Sequence, residues 1–113
     1  MNIDLYVSEI TQEGKLEYKY QYSVTSPINI SCKTNLIITL HATKNFLIDQ
    51  VHFPSGDQLS VTKQSETTVT ITDIDTKSGE FYFSIDVKDT SNNKIINCDP
   101  QVKNVLKPPA QVC

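Results

Sequence analysis

Glu80-Phe81-Tyr82-Phe83-Ser84-Ile85-Asp86-Val87 alternates without exception, with Phe81, Phe83, Ile85 and Val87 on one side and Glu80, Tyr82, Ser84 and Asp86 on the other. Successive side chains of an extended chain point to opposite faces, so this spacing predicts a strand with one face in a core and one in water. The same period recurs in both directions from it. Downstream, the polar turn from Asp89 to Asn93 leads into a strand around Lys94 to Cys98 and a tail punctuated by proline. Upstream, Val69 and Ile71 alternate with Thr68, Thr70 and Thr72, and Leu59 and Val61 alternate with Ser60 and Thr62. Such hydroxyl-rich outer faces suit a solvated antiparallel sheet.

Before the turn Pro54-Ser55-Gly56-Asp57 come Leu47, Val51 and Phe53, a less regular inward set, then Leu36, Ile38 and Leu40, and Ile28, Ile30 and Cys32. At the start, Ile3, Leu5 and Val7 and the stripe Leu16, Tyr18, Tyr20, Tyr22 and Val24 flank Gln12-Glu13-Gly14-Lys15, which predicts a hairpin. Thr, Ile, Val, Tyr and Phe make up 42 of the 113 residues against two Ala, a bias towards side chains that pack on a pleated surface. These features predict an all-β, immunoglobulin-like antiparallel β-sandwich of seven to nine strands, with a small closed β-barrel as the alternative. Residues 1–107 read as a single sandwich domain and residues 108–113 as a short C-terminal tail.

Composition excludes whole classes of function. The chain carries a net charge of −3 and its ten basic residues are all Lys, so it lacks the basic face and the Arg on which nucleic-acid binding draws. No apolar run reaches the roughly 18 residues of a membrane span. Met1 to Ile10 alternates where a signal peptide would be basic and then apolar, so the expected location is cytoplasmic. Three cysteines, Cys32, Cys98 and Cys113, are too few for a disulfide scaffold and are expected to be reduced thiols, with Cys113 exposed.

Two resemblances accompany the pattern. Ile71-Thr72-Asp73-Ile74-Asp75-Thr76-Lys77-Ser78-Gly79-Glu80-Phe81-Tyr82-Phe83 is similar to the corner before a late strand of immunoglobulin-like domains, although the chain has no Trp. Asn97-Cys98-Asp99-Pro100-Gln101-Val102-Lys103-Asn104 resembles the closing motif of the bacterial DP-EP proteins and the related inclusion-body (PixA/AidA-like) proteins. That likeness implies a bacterial, intracellular, sandwich-like protein and transfers no catalytic residues. Asp99, Pro100 and Asn104 are read as a structural closure: Pro100 cannot donate to a ladder, and Asp99 is expected to accept backbone amides of the turn.

Tyr18, Tyr20 and Tyr22 share one strand face and are the candidate ligand-binding residues, as an aromatic platform for a sugar or other flat molecule. The competing reading makes them core-edge tyrosines with hydroxyls reaching water or a carbonyl. Asp73-Ile74-Asp75 followed by Gly79 fails the calcium-loop template, because Gly stands seventh instead of sixth and Ser84 occupies the twelfth place. His41 and His52 have no partner at zinc-ligand spacing, and no cofactor motif occurs. The expected function is therefore non-catalytic, through self-association or protein binding; a small-ligand or carbohydrate-binding module is second and an enzyme third.

Overall fold

The computed structural model describes residues 1–25, 27–54 and 58–99, and the backbone of 101–104. It is all β, and among the described residues there is no helix. The strands are β1 (Asn2–Gln12), β2 (Lys15–Tyr22), β3 (Ile28–Ile30), β4 (Thr34–His41), β5 (Phe46–His52) and β6 (Leu59–Gln64), followed by β7 (Thr68–Asp73), β8 (Gly79–Tyr82), β9 (Ser84–Asp89), β10 (Lys94–Cys98) and β11 (Gln101–Asn104). One layer is a five-stranded sheet of order β2-β1-β4-β7-β6. The ladders β10-β9-β5 and β3-β11-β8 form the opposing side.

The order β4-β7-β6 against β5-β9-β10 is the B-E-D against C-F-G arrangement of immunoglobulin-like sandwiches. The five-stranded sheet is open, with β2 and β6 at its ends, so the barrel alternative does not hold. Among the described residues there are eleven strands, more than the expected seven to nine, because the Phe83 stripe breaks in two and Gln101–Asn104, beyond the last expected strand, forms β11. β8 pairs with β11 and β9 with β10, so one alternating run serves two ladders. Not every pairing is antiparallel, since β1 runs parallel to β4 and β3 parallel to β11. After β2 the chain crosses to the opposing side as β3 and returns beside β1 as β4, and a crossover of that kind produces parallel neighbours.

A single core lies between the layers: Ile3, Leu5, Leu36, Ile38, Val69 and Ile71 meet Phe46, Ile48, Phe83, Ile85 and Val87. Most inward residues follow the predicted alternation, but Leu16 on β2 and Val61 on β6, expected inward, are 38% and 36% exposed, the latter beside a register shift between Val61 and Lys63. The alternation also fails in β5. There Phe46 and Ile48 are buried while Leu47, expected inward, is half-buried. A bulge between Ile48 and Gln50 shifts the register, which flips the parity so that Val51 and Phe53 again face the core.

The β1–β2 hairpin closes through Glu13 (φ 50°) and Gly14 (φ 74°), a two-residue turn with both central residues left-handed, the geometry that matches strand twist. β1 pairs with β4 only from Asn2 to Tyr6, whereas its pairing with β2 continues to Gln12. From Val7 onward the hairpin is therefore a two-stranded arm, and Ser8 to Glu17 is exposed throughout. Pro100, Ser26, residues 55–57 and the proposed tail at 108–113 lie outside the described residues.

Candidate functional site

Tyr18, Tyr20 and Tyr22 stand opposite Glu9, Val7 and Leu5 on the core side of the sheet. β2 is the end strand, so these side chains lean across the open side of the sandwich towards β9 and β10. Tyr18 Oη donates to Asp89 Oδ2 at 2.7 Å, Tyr20 Oη to Asp99 Oδ1 at 2.6 Å and Tyr22 Oη to the Cys98 carbonyl at 3.0 Å. Tyr18 sets its ring edge-on to Phe46, and Tyr22 edge-on to Tyr20. The stripe thus stitches the two layers along one edge. Loss of water and the neighbouring Asp89 push the Tyr18 hydroxyl up to about 12, and burial raises Tyr22 further. Tyr20 is also raised, first by its bond to Asp99.

Asp89 anchors the stitch. Its side chain is wholly buried, and it accepts four hydrogen bonds, from Tyr18 Oη, Asn45 Nδ2, the Ser91 amide and Asn92 Nδ2. Those donors hold its carboxyl well below the usual carboxylate range, with Asn92 and Tyr18 contributing most. The bond to Ser91 is the local Asx turn that the sequence announces; those to Tyr18 and Asn45 join β2 and the start of β5 to it.

The Asp99 carboxylate accepts the hydroxyl of Tyr20, 79 positions away, which ties β2 to the end of β10. The turn expected to offer it backbone amides begins at Pro100, outside the described residues. Asn104 is the last residue of β11, which rejoins a ladder between β8 and β3. A groove of about 460 Å³ opens beside this contact, lined by Tyr20, Tyr22, Val24, Ile28 and Asp99 together with Gln21, Ser23 and Thr25. It brings two of the three candidate tyrosines to one concave surface with a carboxylate. Tyr18 does not reach it.

The remaining candidates are dispersed. His41 Nε2 lies 2.8 Å from Asp4 Oδ1 with Tyr6 stacked on its ring at 4.9 Å, on the outer face of the five-stranded sheet. His52 Nε2 lies 2.6 Å from Asp86 Oδ2, in the opposite layer. The two histidines do not face each other, because β4 and β5 belong to different sheets. Asp73 Oδ1 accepts the Asp75 amide, and among the described residues no three His, Cys, Asp or Glu are grouped to hold a metal ion.

Cys32 is disulfide-bonded, which corrects the expectation of three reduced thiols. Thiol state depends on which sulfurs meet in space, and the strand spacing carries no information on that. Cys98 is a free thiol, fully buried, and burial pushes it up to about 12, so it is an inert core residue. Cys113 lies outside the described residues.

No family model matches the sequence, and no curated protein is similar to it. Among solved structures the chain is similar to the endo-fucoidan hydrolase MfFcnA9 from glycoside hydrolase family 107, at 13% identity and a TM-score of 0.42. The likeness covers 90% of this chain and 22% of the hydrolase, so the chain spans about a fifth of that enzyme's length. A likeness of this degree carries nothing about activity.

Proposed function

We propose that this is a non-catalytic β-sandwich module that binds another protein chain by strand addition along the outer edge of β2. The supporting observation is the state of that edge. β2 ends its sheet, and among the described residues no strand pairs with its outer side. Edges of this kind are ordinarily blunted or covered, because their free N–H and C=O groups template a further strand. The arm beyond Val7 has only two strands, and a third would stabilise it. The DP-EP resemblance around Asp99-Pro100 belongs to the same proposal as a statement of kinship. The cytoplasmic location expected from the alternation of Met1 to Ile10 is left out of the proposal, because a disulfide such as that of Cys32 persists in oxidising surroundings.

The test is a photoreactive benzoylphenylalanine introduced at Leu16 on β2 and, separately, at Val61 on β6, in cells that make the protein. The expected result is a discrete adduct from position 16 and none from position 61. No adduct at 16, or equal adducts at both, overturns the reading.

The groove at Tyr20, Tyr22 and Asp99 supports a second reading, a site for a small polar ligand such as a sugar, because it joins aromatic edges to a carboxylate in one concavity. Titration of a panel of neutral and acidic oligosaccharides, followed by NMR shifts of residues 20–25, should then find a binder that Tyr20→Ala abolishes. A panel with no shift at those residues removes it.

A further inference from the structure

We propose that the chain bound at β2 is a second copy of this protein, paired antiparallel about a two-fold axis at Tyr18; this rests on the edge-binding reading above. The turn sets which groups face outward. A two-residue turn is closed by the Gln12 carbonyl and the Lys15 amide, so Lys15 points its backbone groups at β1, and by alternation so do Glu17, Lys19 and Gln21. The Ser23 amide, next in that odd series, indeed donates to the Asp4 carbonyl at 2.8 Å. Leu16, Tyr18, Tyr20 and Tyr22 therefore aim their N–H and C=O groups at the open edge.

An added strand must match outward-facing residues with outward-facing residues. Centred on Tyr18, the self-pairing sets Leu16 opposite Tyr20 of the second copy and Tyr18 opposite itself, completing the ladder on every outward group between them. It also sets Glu17 opposite Lys19 twice over, on the solvent side where both side chains are exposed. Moving the centre to Glu17 puts Glu17 on Glu17 and Lys15 on Lys19, while moving it to Lys19 puts Lys19 on Lys19. Like charges directly opposite are unfavourable and opposite charges favourable, so the charge pattern selects the Tyr18 register. Centring on Leu16 runs the overlap into the Glu13-Gly14 turn, and centring on Tyr20 pairs no charges. Leu16 and Tyr20, 38% and 37% exposed, gain cover in the selected register. The result is an isologous dimer with one continuous ten-stranded sheet, twice the five strands of each copy.

Light scattering during size exclusion at high protein concentration is expected to read twice the chain mass of 12.7 kDa. Glu17→Lys and Lys19→Glu, each on an exposed position, should each weaken the dimer roughly tenfold or more, since two favourable pairs turn repulsive. The double variant Glu17→Lys/Lys19→Glu should restore it, and an equimolar mixture of the two single variants should form a mixed dimer. A wild-type monomer that still gives an adduct to a different protein from position 16 overturns the second copy and leaves the edge reading standing. A dimer indifferent to the charge changes, or a double variant as weak as the singles, overturns the register and the proposal with it. Absence of both dimer and adduct removes both readings.

Discussion

The β1–β2 hairpin is built in two ways along its own length. At its root Ile3, Leu5 and Val7 are buried, and Tyr18 and Tyr22, half-buried, reach Asp89 and the Cys98 carbonyl in the opposite layer. Towards its tip Leu16 keeps the core-side parity yet is 38% exposed, as is Ile10 on the outer face opposite Glu17. Strand pairing is continuous through both halves. The contrast shows that pairing alone does not anchor a hairpin; a facing layer with acceptors in place does.

The comparison breaks most sharply at Asp89. Asp89→Asn replaces an acceptor oxygen with a donor inside a ring of four donors, and the melting temperature should drop by about 10 °C in thermal unfolding followed by circular dichroism. The pH profile carries the same information. Its native carboxyl titrates below the ordinary value of 3.8, so its contribution is whole above that value and drains away as pH falls below it. Wild type should lose stability over that acid range, and Asp89→Asn should lose measurably less.

Tyr18→Phe removes one of those four bonds and leaves the ring against Phe46, so a smaller fall of about 5 °C is expected. On the alkaline side the sign reverses. Tyr18 and Tyr22 are raised above 10.0, so the stability they hold is complete below that value and is lost as pH climbs towards 12. Wild type should therefore melt progressively lower above pH 10, and Tyr18→Phe should flatten part of that slope.

At the tip, Ile10→Thr and Leu16→Thr should each move the melting temperature by less than about 2 °C, because neither side chain has a layer to leave. A shift as large as that of Tyr18→Phe would mean the arm is packed, and the contrast would dissolve. The smallest effect is chemical. Cys98 should resist a thiol reagent in the folded protein and react once it is unfolded, whereas Cys32 should react only after reduction, as peptide mapping of the labelled protein would show.

Much of the fold was legible because strand period is a local property. Glu13-Gly14 named the first turn, and the Lys94 to Cys98 strand emerged with its predicted ends. The β5 bulge was not legible, since it is a slip in hydrogen-bond register against β9 that no residue type announces. Of the site, the tyrosine face could be read but its destination could not. Asp89 looked like a turn carboxylate, and its Ser91 and Asn92 bonds are just that; the Tyr18 and Asn45 bonds come from 71 and 44 residues away. The tie between Tyr20 and Asp99, and the pairing of Cys32, belong to the same long-range class.

By itself the sequence determined which residues would lie on a common strand face, because alternation follows from the geometry of one extended chain. Tertiary structure alone decided what each face would meet. Burial is favourable only where a second layer removes apolar area from water and supplies partners for polar atoms. Leu5 and Leu16 obey the same alternation, yet one is wholly buried and the other 38% exposed. The difference is the layer made by β9 and β10, which reaches the hairpin's root and stops short of its tip.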